Sequence, residues 1–179
     1  MSKAIVVSMS HQFVVAYSGT QPTEETTFLV SNCLTGVPGK WDTPAGSFSV
    51  TWRSKLWRSK QYDGAPMPWA VCFHDAKGCF LHEGDVEHRW SLLGVHVAVS
   101  SSLLRRHGHS NKGSHGCVRL PSDAAKSLYV WAERGTPVHI LAQRPPSPFE
   151  LRCLRQNYIA IGLGKDHCRA NDEIFTRNG

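Results

Sequence analysis

The chain has 179 residues, 41% of them hydrophobic and 19% charged, which suits one domain with a real core, with or without a tail, and excludes a largely disordered chain. Its 20 Lys and Arg against 14 Asp and Glu leave a formal charge of +6. That charge favours anionic partners, but the basic residues are scattered and no nucleic-acid motif accompanies them, so no nucleic-acid partner is expected. No apolar run approaches the roughly 18–20 residues needed to cross a bilayer, so no transmembrane segment is expected.

Residues 1–7 contain one lysine and a short apolar stretch, Ala4-Ile5-Val6-Val7, too short for the core of a secretion signal. As written, the chain is expected to stay in the cytoplasm. Residues 5–7, 12–17 and 27–31 are rich in β-branched and aromatic side chains and read as strands, with turn signals at Ser18-Gly19 and between Gly36 and Gly39. Another turn, Asp42-Thr43-Pro44-Ala45-Gly46, feeds residues 47–52, where Phe48, Val50 and Trp52 alternate with polar neighbours as in one half-buried strand. The basic stretch from Arg53 to Lys60, interleaved with Trp52, Leu56 and Trp57, reads as a solvated strand or loop face.

Residues 69–73 and 78–82 form a hairpin across His74-Asp75-Ala76-Lys77. Residues 83–113 are less regular. Val95, Val97 and Val99 alternate as in a strand, while residues 92–104 also suit a short helix; both readings stand. Residues 105–113 are polar, rich in Gly and His, and read as a loop.

The main helix spans residues 122–134. Ser122 is the expected N-cap, Ala124, Leu128, Trp131 and Ala132 share one face, and Gly135 follows Arg134 as a C-terminal stop. Residues 136–141 read as a closing strand. Pro145-Pro146-Ser147-Pro148 breaks the pattern, so the expected division is a domain over 1–143 and a tail over 144–179 with no strong period. The regular strand spacing predicts a mainly β sandwich or barrel with that one main helix.

Six cysteines, Cys33, Cys72, Cys79, Cys117, Cys153 and Cys168, include no C-x-x-C pair, so zinc-ribbon and thioredoxin readings are weak. If Cys117 stays free, the remaining five cannot all pair, and no disulfide framework is expected.

The segment Ser114-His115-Gly116-Cys117-Val118-Arg119-Leu120 carries the chemistry. A thiol with an ordinary pKa of about 8.5 is mostly protonated at neutral pH. An imidazole nearby can take that proton and later return it to a leaving amine. Glycine just before the nucleophile permits a tight turn that aims successive N–H groups at one point, an oxyanion hole for acyl transfer. An isolated cysteine beside a histidine is more often a buried structural thiol, so the flanks decide.

Those flanks resemble the L,D-transpeptidase (YkuD-like) family of bacterial peptidoglycan enzymes. The hallmark is a histidine, a spacer, then Ser/Thr-His-Gly-Cys-aliphatic-Asn/Arg, here Ser114 to Arg119, followed by a helix and Gly135-Thr136-Pro137-Val138. Upstream, Thr43-Pro44-Ala45-Gly46-Ser47-Phe48 is similar to the family's turn and strand, and Met67-Pro68 with Phe80-Leu81-His82 resembles the strand pair that delivers its histidine. The resemblance covers residues 4–141.

It implies Cys117 as nucleophile on a stem tetrapeptide, His82 as its base, and N–H groups around His115, Gly116 and Cys117 as the oxyanion hole. Arg119 would anchor the site or meet a substrate carboxylate, and Ser114 would brace the turn. The spacer, residues 83–113, is longer than usual; His96 sits nearer the usual spacing and is the alternative base. Arg119 stands where many members have Asn.

The implied partner is the peptidoglycan stem peptide and the implied location the periplasm or cell wall, which conflicts with the absence of a visible leader. The implied mechanism requires no cofactor and no metal. Three rivals remain. One is a zinc-type site from His107, His109, His115 and Cys117. Another is a wall-binding module without catalysis. The third is hydrolysis by the same thiol, as a carboxypeptidase or endopeptidase. Of the six tryptophans, core packing is the default for Trp69 and Trp131, and Trp57 is the best candidate for exposed contact. Transfer or hydrolysis, and oligomeric state, are not legible.

Overall fold

The computed structural model describes residues 2–37, 39–84, 86, 89–92, 95–98 and 114–160, and for 89–92, 95–98 and 157–160 it describes the backbone. Eleven strands and two helices are assigned among them: β1 Lys3–Ser8, β2 Phe13–Ser18, β3 Thr27–Asn32, β4 Gly46–Ser49, β5 Trp52–Arg58, β6 Pro66–His74, β7 Cys79–Glu83, β8 Arg89–Leu92, β9 Val95–Ala98, β10 Val118–Leu120, α1 Ser122–Trp131, β11 Pro137–Leu141 and α2 Pro148–Ala160.

The strands form a five-stranded sheet in the order β3-β2-β1-β11-β4, a four-stranded sheet in the order β10-β7-β6-β5, and a β8-β9 pair. In β1, Ile5 and Val7 face the main core between the sheets and α1, while Ala4 and Val6 face a second core on the opposite side. A strand covered on both faces loses the polar alternation of a half-buried one, which is why Ala4 to Val7 is an unbroken apolar run. The predicted mainly β sandwich with a helix after the Cys117 turn is the observed architecture.

Four local expectations change. Residues 47–52 are two strands, with β4 pairing β11 in one sheet and β5 pairing β6 in the other. The chain crosses between sheets at Val50, whose N–H donates to Thr136 O while Thr51 N–H donates to Cys72 O, each at 2.9 Å. Phe48 and Val50 belong to the main core and Trp52 to a cluster on the outer face of the second sheet. Alternation continued across the crossing, so sequence periodicity could not reveal it.

The second change is at α1, where Pro121 takes the N-cap position in extended geometry without a side-chain cap. Ser122 lies inside the helix, and its hydroxyl donates to Glu83 Oε2 at 3.0 Å. The helix ends at Trp131 because Ala132 is already extended, three residues before the expected Arg134.

Third, residues 92–98, open between strand and helix, lie in the β8-β9 hairpin over their described part.

Fourth, the tail contains α2. Ser147 and Glu150 form a reciprocal cap: Ser147 N–H donates to Glu150 Oε2 at 2.8 Å and Glu150 N–H to Ser147 Oγ at 3.3 Å. Pro148 then suits the first helical position, so the proline cluster starts a helix. Cys153 and Leu154 cover the second core with Val6, Phe13, Val15 and Val30. Glu150 is fully buried and paired with Arg144 at 2.7 Å.

Candidate active site

The site is assembled where β7 and β10 run parallel, with Arg119 opposite His82 and Val118 opposite Leu81. Val118, Leu120 and Leu81 are buried in the main core. Side chains alternate along a strand, so Phe80 and His82 of β7 share the opposite face with Arg119, joined there by Cys117 just before β10. Cys117 packs accordingly against the cluster of Met67, Ala70, Cys72 and Phe80. Two residues along and one strand across is roughly 8 Å between Cα atoms, a span that an imidazole and a thiol cover together.

The Cys117 thiol donates to Gly78 O at 3.7 Å. Burial pushes its pKa up to about 12, against the pull of the Phe80 N–H and the Arg119 charge and with a further push from Cys79 and Cys72. His82 is buried, and its Nδ1–H donates to Glu83 O at 2.6 Å. A carbonyl only accepts, so this bond fixes the neutral tautomer with the lone pair on Nε2. Burial lowers the His82 pKa to about 4; the Glu83 bond opposes that and Arg119 adds to it. The resting pair is therefore a neutral thiol and a neutral imidazole.

The turn before Cys117 is held from both ends. Ser114 is buried, its N–H donating to Thr35 O at 2.9 Å and its carbonyl accepting from Val37 N–H at 3.1 Å. Its hydroxyl donates to Cys117 O and accepts from Gly116 N–H, the latter at 3.1 Å. Leu34 and Arg119 exchange N–H to O bonds at 2.9 Å each. The loop 34–43 thus clamps the turn, and Gly36 N–H in turn donates to the buried Thr43 hydroxyl at 2.8 Å. Gly116 has φ +103°, a region only glycine occupies readily.

One expectation about this turn needs correcting. The Gly116 N–H is spent on Ser114 Oγ, so it does not face a substrate oxygen. Among the described residues, the N–H groups of His115 and Cys117 carry no backbone hydrogen bond.

His115 is exposed and its ring meets two aromatic rings, 3.9 Å from the Trp41 centroid and 4.3 Å from that of Tyr62. Its pKa is lowered by partial burial and by the charges of Arg119 and Lys40. A groove of about 190 Å³ is bounded by Trp57, Lys60, Met67, Asp75, Gly78 and Phe80, and the carbonyl that accepts from the Cys117 thiol belongs to Gly78 in its wall.

The profile of the YkuD L,D-transpeptidase catalytic domain matches residues 2–140. The chain belongs to the L,D-transpeptidase family. Solved structures share the family's fold with it. The L,D-transpeptidase of Stackebrandtia nassauensis is 22% identical with a TM-score of 0.58, over 82% of this chain and 58% of that one. L,D-transpeptidase 1 of Mycobacterium tuberculosis is 17% identical with a TM-score of 0.55, over 79% and 62%. A cysteine-to-serine mutant of the Enterococcus faecium L,D-transpeptidase is 21% identical with a TM-score of 0.53, over 79% and 50%. The chain thus spans about half to three fifths of the length of these proteins. No curated protein sequence matches it.

In this family member, the parallel β7-β10 register brings His82, Arg119 and Cys117 to one face, with Ser114 beneath the turn and His115 outside it. The alternative base His96 is on β9, in the separate β8-β9 pair, and its side chain lies outside the described residues. His107 and His109, the other half of the metal reading, also lie outside them. Among the described residues no three His, Cys, Asp or Glu side chains gather as metal ligands, and Cys33, Cys72, Cys79 and Cys117 are in no disulfide. No described helix is long and apolar enough to cross a membrane.

Sequence reasoning missed Trp41 and Tyr62 as neighbours of His115, and missed the loop 34–43 as the clamp on the turn. The Asp63-Gly64 pair, a hairpin-turn signal, marks the loop that carries Tyr62. Nothing local marks Thr35, whose part is played by its backbone. Trp69 and Trp131 pack against the main core as expected, and Trp57 is half-buried and lines the groove.

Proposed function

We propose that this family member is a cysteine-dependent L,D-transpeptidase that cross-links peptidoglycan stem peptides through a thioester on Cys117. The observation that carries the proposal is the parallel register of β7 and β10, which gives Cys117 and His82 a common face beside a glycine-requiring turn.

In the first half-reaction His82 Nε2 takes the thiol proton as sulfur attacks the peptide carbonyl carbon. With the thiol pushed up to about 12 and His82 held down to about 4, transfer is concerted with attack, so the resting enzyme stores no thiolate. The carbonyl oxygen becomes an oxyanion, received by the His115 and Cys117 N–H groups. The C–N bond breaks, the departing amine takes the proton from His82, and a thioester remains. An acceptor amine attacks it, His82 takes the amine proton, and collapse forms the new amide and returns the proton to sulfur. Arg119 lowers the pKa of the thiol it flanks and anchors the site or a substrate carboxylate. The reaction needs no metal or organic cofactor. The polymer places the enzyme's work in the periplasm or cell wall.

Mass spectrometry after incubation with a disaccharide-tetrapeptide tests this. The expected result is an adduct lighter than the substrate by the departed terminal residue, on the peptide containing Cys117, absent in Cys117→Ala and His82→Gln and present in His96→Gln. An adduct that persists in His82→Gln and disappears in His96→Gln would transfer the base role to His96. No adduct in the wild type overturns the proposal.

A further inference from the structure

We infer that Tyr62 is a positioning residue, which locks the Cys117 turn from outside by closing, with Trp41, on the ring of His115. The consequence for catalysis rests on the thioester reading above; the lock itself does not.

Tyr62 sits at the tip of the hairpin between β5 and β6, far in sequence from the turn it touches. The tip is built to hold its shape. Ser59 N–H donates to Ala65 O at 3.0 Å, Ala65 N–H to Tyr62 O at 2.8 Å, and the Ser59 hydroxyl accepts from the N–H groups of Gln61 and Tyr62 at 3.2 Å each. Asp63 and Gly64 supply the two positive φ values, +45° and +68°, that reverse the chain. The Tyr62 ring is thereby presented to His115 at 4.3 Å and 34°, and Trp41 meets the same imidazole at 3.9 Å and 52°. Lys40 lies 4.1 Å from the Trp41 centroid, extending the stack.

The His115 ring meets Trp41 and Tyr62, and its backbone is a flank of the turn whose N–H groups must hold still. Ser114 is fixed from below by the loop 34–43 and Gly116 by Ser114. Between them, the residue carrying the exposed ring is fixed by that ring. Preorganised donors are worth most when they need no reorganisation during reaction. Losing one of the two aromatic contacts lets the turn sample other conformers. The same hairpin tip contributes Ser59, Lys60 and Gln61 to the groove wall, so groove and turn are fastened to each other through Tyr62.

Two measurements on the full chain test the lock. The first is the NMR resonance and titration of the His115 ring in wild type, Tyr62→Ala and Tyr62→Phe; the groups facing the ring are Trp41, Tyr62, Lys40 and Arg119. Expected is a ring-current-shifted resonance that moves toward the free-imidazole position in Tyr62→Ala and is kept in Tyr62→Phe. The second is the steady-state rate with the disaccharide-tetrapeptide. Expected is a fall in kcat of about tenfold in Tyr62→Ala with KM changed less than twofold, restored in Tyr62→Phe. An unmoved His115 resonance in Tyr62→Ala overturns the lock. A changed KM with unchanged kcat, or failure of phenylalanine to restore the rate, overturns the positioning role and makes Tyr62 a substrate contact. The expected resonances in a chain that never forms the thioester leave the lock standing and sink the catalytic reading alone.

Discussion

Arg119 on β10 stands opposite His82 on β7 in parallel register, and its charge lowers the pKa of both His82 and Cys117. Burial is the main reason the base stays unprotonated, and one cation adds to that effect while easing ionisation of the nucleophile. The side chain also lies over Gly84, where an added Cβ would come 2.9 Å from Arg119 Cδ. Removing the charge in Arg119→Gln should raise the His82 pKa from about 4 and raise that of Cys117 further. The acid limb of the pH profile for adduct formation should then move to higher pH, with the plateau rate down by about tenfold. An NMR titration of His82 beside the rate profile checks both; an unmoved acid limb would show that Arg119 acts on substrate alone.

Stability should depend on pH at both ends for the same physical reason. His82 is held near 4 in the folded chain against an ordinary 6.5. As pH falls between those values the unfolded chain takes up a proton the folded one refuses, so stability declines across that window, by about 3 kcal/mol in full. At the alkaline end Cys79 and Cys117 are raised by burial to about 11 and about 12 from an ordinary 9, and Cys33 and Cys72 are raised too. Above pH 9 the unfolded thiols ionise first and folding weakens again. Urea midpoints measured from pH 4 to 11 should show a plateau between about 6.5 and 9. His82→Gln should flatten the acid side.

The turn offers a cleaner separation of packing from conformation. Gly116→Ala places a Cβ at ordinary contact distance, 3.6 Å from Asp42 O and 3.7 Å from Cys79 Sγ, so its cost comes from φ +103° and not from a clash. About 1–3 kcal/mol of stability and nearly all adduct formation should be lost. Ser114→Ala removes the acceptor for Gly116 N–H and the donor to Cys117 O, which should cost about 1–3 kcal/mol through the buried groups left unpaired. Thermal melts with adduct yields report both; a fully active Gly116→Ala enzyme would mean the backbone there is not held as observed.

How much of this was legible depends on where the cause lies. The β6-β7 hairpin could be read because the His74 to Lys77 turn is a local signal, and the residues from Ser114 to Arg119 could be read as chemistry concentrated in six positions, though not as the short strand β10 that three residues from 118 to 120 form. The crossing at Val50 could not, since alternation does not report which sheet a side chain faces. The spent N–H of Gly116 could not either, because it depends on how Ser114 Oγ rotates within a folded turn. Tyr62 and His115 are 53 positions apart, and it takes the whole sheet order β10-β7-β6-β5 to bring the hairpin tip to the turn.

The segment beyond the family-matched residues carries its own prediction. Glu150 is completely buried at the start of α2, accepting from Arg144 Nη2 at 2.7 Å and from Ser147 N–H at 2.8 Å. Arg144 also lies 5.2 Å from the Phe13 ring, on the face of the first sheet that α2 covers. Glu150→Ala leaves a partly buried guanidinium without its carboxylate and the Ser147 N–H without its acceptor, while the bond from the residue-150 N–H to Ser147 Oγ remains. Breaking a buried pair from one side costs about 3–5 kcal/mol, a large fraction of a typical domain's stability. Glu150→Gln keeps the shape and part of the hydrogen bonding and should lose less. If α2 were a passive appendage, neither substitution would shift the urea midpoint of the whole chain. If α2 is part of the fold, Glu150→Ala should lower that midpoint in one cooperative transition, and Arg144→Met combined with it should recover part of the loss by removing the stranded charge.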